Sequence, residues 1–128
     1  MYRKPYIFWF WWFFMGNDDV VFKSLNRFEI FAKAIMQKFS KLEVNVFSEN
    51  YRSSGPSVFV DRVFSIPGGK LIQDDCQYDS DAEFREEFYL TCLSNLKTAM
   101  GKGYIIKYVS GEGTGPYKFE VTNEVSSD

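Results

Sequence analysis

Residues 80–100 read SDAEFREEFYLTCLSNLKTAM. Ser80 supplies a short oxygen acceptor where a helix would begin, and Glu83 follows three residues later, the spacing of a capping box. Behind it Phe88, Tyr89, Cys92, Leu93, Leu96, Ala99 and Met100 recur at three- and four-residue steps. That period places them on one face of a helix. Gly101 or Gly103 is a fitting stop, because glycine accepts the left-handed turn that ends many helices. The spacing predicts a helix over 81–100.

The chain on either side of this helix changes period from about 3.6 to 2. Downstream, Tyr104–Val109 and Tyr117–Thr122 read as strands, joined by the glycine-rich hairpin loop Ser110–Pro116. Upstream, Val58, Val60, Arg62, Phe64 and Ile66 mark a strand that Pro67-Gly68-Gly69 ends. Lys70–Gln73 adds a short extension. Leu42–Val46 alternates as a half-buried strand, and Asn50–Pro56 reads as a loop by composition. These two strands are expected to form an antiparallel hairpin with a loose connection.

Further upstream, Asn17-Asp18-Asp19 offers capping side chains and negative charge for a helix start. Val21, Leu25, Phe28, Ala32, Ile35, Met36 and Phe39 follow at helical spacing, which predicts a helix near 18–39. The run Tyr6–Met15 is apolar on both alternating sets, the mark of a central strand covered on both faces. Its basic lead, Arg3-Lys4, resembles that of a signal peptide. The run is aromatic rather than rich in Leu and Ala, and Gly16–Asp19 offers no small-residue cleavage site. Ten residues are also too few for a membrane-spanning helix.

The expected order is β-α-β-β-α-β-β, in one α+β domain over 1–128. The sheet is expected to be mainly antiparallel, with the two helices on one face. The first six elements follow the ferredoxin-like split βαβ order, with an added C-terminal hairpin strand. A chain of 128 residues is long enough to bury a real core. Its 14 Phe, 8 Tyr and 3 Trp suit either an aromatic-rich core or an exposed aromatic face.

Several chemistries are excluded or unsupported. The chain has no histidine, which removes Ser-His-Asp and Cys-His catalysis and the commonest metal ligand. Cys76 and Cys92 are too few and too far apart for a zinc site, and both are expected to be reduced thiols, with Cys76 in an exposed acidic loop. Gly111-Glu112-Gly113-Thr114-Gly115 lacks the Lys-Ser/Thr ending of a phosphate loop and precedes a strand, so it reads as a flexible hairpin loop. Asp61 and Arg62 are neighbours on a strand and point to opposite faces. Arg62 falls on the apolar set, as a buried or interface arginine would. No cofactor is expected.

Charge is divided unevenly. Residues 1–70 carry ten Lys/Arg against six Asp/Glu, and residues 71–128 carry five against eleven. From Asp74 to Glu87 there are seven carboxylates and one base, Arg85. Asp75, Gln77, Asp79, Asp81, Glu83 and Glu86 fall at spacing that resembles a calcium-binding EF-hand loop, but Ser80 stands where that loop needs glycine. The seven acids Asp74, Asp75, Asp79, Asp81, Glu83, Glu86 and Glu87 are therefore expected to be a protein-binding patch. An acidic surface disfavours nucleic acid and suits a basic partner.

The function expected is that of a small non-enzymatic cytoplasmic module of the inhibitor or immunity type. Its partner would be a basic protein such as a nuclease toxin, with no direct nucleic-acid or membrane contact and room for a homo-oligomer. The alternative is an α+β domain that holds a small ligand against an exposed aromatic sheet face.

Overall fold

A computed structural model describes residues 20–124. The elements are β1 (Val20–Phe22), α1 (Leu25–Phe39), β2 (Lys41–Ser54), β3 (Ser57–Ile66), β4 (Gly69–Tyr78), α2 (Asp81–Met100), β5 (Tyr104–Ser110) and β6 (Tyr117–Asn123). The fold is α+β: six strands form one sheet in the order β1-β4-β3-β2-β6-β5, and all pairings but β1–β4 are antiparallel. From the first helix onward the expected order is present with β4 as one strand more, and β1 falls within the segment expected to begin that helix. The aromatic strand expected over 6–14 lies outside the described residues.

Both helices cover one face, and a single core lies between them and the sheet. α1 contributes Phe28, Ala32 and Met36, and α2 contributes Phe84, Phe88, Cys92, Leu96, Ala99 and Met100. The sheet answers with Leu42, Val44 and Val46 of β2, Val58, Val60, Phe64 and Ile66 of β3, Leu71 and Tyr78 of β4, and Tyr117, Phe119 and Val121 of β6. Each large side chain buried this way contributes about 1.5–3 kcal/mol. A chain of ring contacts runs beneath α2: Tyr51 meets Phe84, Phe84 meets Tyr78 and Phe88, and Phe88 stacks on Tyr117, which meets Tyr89 and Phe119. The described aromatic residues are thus largely absorbed by the core.

Helix α2 occupies the range its sequence predicts. Ser80 Oγ accepts a hydrogen bond from the Glu83 amide at 3.1 Å, and Gly101 ends the helix at φ 71°. Helix α1 begins later than expected. Its N-cap is Ser24, whose Oγ accepts from the Arg27 amide at 3.2 Å. Val20–Phe22 leaves the helical pattern because it pairs in parallel with Gly69–Leu71, a partner distant in sequence. Gly69 leaves room for this packing: an added Cβ would lie 2.5 Å from Phe22 Cε2, so the Phe22 ring would have to shift.

Two other expectations are corrected. β2 and β3 are joined by a two-residue turn, Gly55-Pro56, rather than a loose loop, with Ser54 paired to Ser57. Gly55 takes φ 61°, which suits the first central position of a type II′ hairpin. The segment 69–78 is a full strand, and Cys76 lies within it, half-buried, rather than in an exposed loop. Both cysteines are free thiols.

Each of these strands carries a β-bulge where strict alternation stops. In β2, Asn50 and Tyr51 oppose the single residue Val60, and Asn50 has φ 52°. In β4, Asp74 and Asp75 oppose Asp61, and Asp75 has φ 52°. The extra residue shifts the inward-facing set by one. Tyr51 and Tyr78 can therefore both reach Phe84 under α2.

Candidate functional site

The two bulges flank Asp61, and its carboxylate ties them together. It accepts from Asn50 Nδ2 at 2.6 Å and from the Asp75 amide at 3.1 Å, with Arg52 Nη2 at 3.7 Å. The Asn50 hydrogen bond is the chief cause that holds the Asp61 carboxyl below its usual range. Arg52 also ion-pairs with Asp75 and donates to the Asn50 carbonyl at 2.5 Å. This cluster alternates with Val58 and Val60 along the strand, so it lies on the sheet face away from the helices.

The seven carboxylates expected to act together fall into two settings. Asp74 and Asp75 stand at the β4 bulge, and Asp79 follows the end of that strand. Asp81, Glu83, Glu86 and Glu87 lie on the first two turns of α2. Two of the seven have partners: Asp75 binds Arg52, and Asp81 accepts from Tyr51 Oη and Arg85 Nε, both at 2.7 Å. Those two bonds hold the Asp81 carboxyl below its usual range, Tyr51 first. Asp74, Asp79, Glu83, Glu86 and Glu87 take part in no ion pair among the described residues. Asp74, Asp79, Glu86 and Glu87 are exposed.

The positions that resemble an EF-hand loop are divided between a strand and a helix. Among the described residues no group of three or more potential ligands is arranged to hold a metal ion. The loop 111–116 is tied down by tyrosines: Tyr108 Oη donates to the Gly111 carbonyl at 2.5 Å, and Tyr117 Oη donates to the Gly113 carbonyl. The sequence pointed to a flexible loop because it named the glycines but not the hydroxyls that reach them.

The solvent side of α2 carries more than acids. Glu83, Glu86, Glu87, Leu90 and Ser94 follow one another at helical spacing, and Leu90 is 60 % exposed. Leu90 stands between two shallow hollows, one bounded by Leu93, Lys97 and Thr98, the other by Arg62, Glu87, Thr91 and Asn95. Arg62 is half-buried on the helix side of the sheet, as its place in the apolar set of β3 suggests.

Sequence reasoning missed Arg52 and Tyr51, and it named Asp61 without its partners. Their roles come from cross-strand register at the bulges, and a segment read as a loop gives no register. Among the described residues no helix is long and apolar enough to cross a membrane. Comparisons with protein-family models, curated proteins and solved structures gave no match.

Proposed function

We propose that this protein is a non-enzymatic binding module of the inhibitor or immunity type, and that its acidic α2 surface engages a basic protein partner. One observation carries the reading. Four carboxylates around the start of α2, Asp79, Glu83, Glu86 and Glu87, have no ion pair among the described residues, although Arg85 neutralises Asp81 beside them. The dipole at the helix start favours acids only in the first turn. Glu86 and Glu87 lie past it, so the fold gains little from their charge. Leu90, exposed at the edge of this patch, offers a partner apolar area beside the steering charge. A nuclease with a basic cleft is the kind of partner this charge suits, and the setting proposed for the complex is the cytoplasm.

The test is co-purification from the source cell with mass spectrometry and measurement of stoichiometry. A 1:1 complex with a basic protein, lost on charge reversal by Glu86→Lys and Glu87→Lys, is the expected result. A stoichiometric complex with an acidic or neutral protein that survives both substitutions would overturn the reading.

A further inference from the structure

Arg62 stands apart from the other described arginines. Arg52 and Arg85 pair with carboxylates, and Arg27 lies exposed on α1. Arg62 is half-buried between β3 and α2, and no carboxylate lies within ion-pairing distance of it among the described residues. A charge withdrawn from water normally has a partner of opposite sign.

Its surroundings orient it instead of neutralising it. Arg62 Nε donates to Gln73 Oε1 at 3.1 Å, and Nη1 donates to Tyr78 Oη at 3.2 Å. Both acceptors are themselves fixed from α2. Asn95 Nδ2 donates to the same Gln73 oxygen at 3.0 Å, and Tyr78 Oη shares a hydrogen bond with Thr91 Oγ1 at 2.8 Å. The guanidinium plane is therefore set by two neutral contacts, while Nη2 has no hydrogen-bond partner among the described residues.

Arg62 borders a hollow of about 400 Å³ with Glu87, Leu90, Thr91, Ser94 and Asn95. Ser94 adds a hydroxyl, and Leu90 adds an apolar wall. A planar cation held in place, with unused N–H donors at an open hollow, is the arrangement that recognises a carboxylate. We infer that the Arg62 hollow is a binding site for a carboxylate attached to a short apolar group. The carboxylate would meet Arg62 and the Ser94 hydroxyl, and the apolar group would lie against Leu90. Glu87 at the rim opposes an anion, so binding by a single carboxylate is expected to be weak. This inference does not depend on the acidic-surface reading.

The test is a titration of the ¹⁵N-labelled chain with acetate and with butyrate, using chloride at matched ionic strength as control. The Arg62 Nε–H and Asn95 side-chain amide signals are followed by NMR. Saturable shifts are expected with both carboxylates and none with chloride, with butyrate binding several-fold tighter. Glu87→Gln is expected to strengthen binding several-fold, and Arg62→Lys to weaken it at least tenfold. Arg62→Lys keeps the charge but loses the planar fork, and a dispersed spectrum shows that it has folded. Shifts that stay linear, that chloride reproduces, or that persist unchanged in folded Arg62→Lys would overturn the inference.

Discussion

The two helices are built alike and charged differently. Each opens on a serine whose hydroxyl accepts the amide three residues on, each has a lysine in its last turn, and each ends on a residue with positive φ, Ser40 or Gly101. Both bury one face against the same side of the sheet. On their outer faces they diverge. α1 carries Arg27, Lys33 and Lys38 with one acid, Glu29, which is paired to Lys33 at 2.7 Å. α2 carries Asp81, Glu83, Glu86 and Glu87, of which only Asp81 is paired among the described residues. Caps and inner faces are what the fold requires of a helix. Charge that neither caps nor pairs is left over, and on α2 that surplus is concentrated in two turns.

The strongest challenge to the shared construction is to empty the core beneath each helix. Phe28→Ala and Phe88→Ala should each cost about 3–5 kcal/mol, because both rings are fully buried among other rings. Urea unfolding would measure this. A loss under about 1 kcal/mol at either site would mean that helix is not packed as described. The caps come next. Ser24→Ala and Ser80→Ala should each cost about 1 kcal/mol, since each removes one acceptor from an otherwise unpartnered amide.

These inner features were largely legible in the sequence. α2 could be read because Ser80, the apolar spacing and Gly101 all agree. The start of α1 could not, because Val21 fits a helical stripe as well as a strand, and only pairing with Gly69–Leu71 decides. The bulges hid most of the rest. Asn50 and Asp75 each add a residue that breaks alternation, so the far half of β2 looked like a loop, and of β4 only Lys70–Gln73 looked like a short extension. The acids of the candidate surface were visible as a run. Their division into paired and unpaired was not, since Arg52–Asp75 and Tyr51–Asp81 depend on register and packing across the molecule.

Smaller effects separate the sheet cluster from the helix surface. The Asp61 carboxyl is held below its usual range, so its ionised form is the one the fold favours. Its contribution is complete above the ordinary carboxylate pKa and is lost as pH falls through the lowered value in the folded chain. Asp61→Asn should therefore lower stability at neutral pH and flatten this acid limb, as followed by thermal unfolding at successive pH values. An unchanged acid limb would remove Asp61 as the link between the bulges.

Thiol chemistry gives a kinetic contrast without a change in fold. Burial pushes the Cys92 thiol up to about 12, whereas Cys76 is only half-buried. A thiol reagent at mildly alkaline pH should label Cys76 first and reach Cys92 only on unfolding. Equal labelling rates in the folded chain would contradict the placement of Cys92 in the core.

The contrast between the helices is tested most directly by stopped-flow association with the co-purified partner. The two variants to compare are Glu83→Gln, Glu86→Gln, Glu87→Gln on α2 and Arg27→Gln, Lys38→Gln on α1. At low ionic strength, about 20 mM salt, the α2 variant should associate about tenfold more slowly than the unaltered chain. At about 200 mM the difference should shrink as screening shortens the reach of the charges. The α1 variant should match or slightly exceed the unaltered rate at both. Equal rates for all three chains at low salt, with folding intact, would contradict a function carried by the unpaired acids of α2.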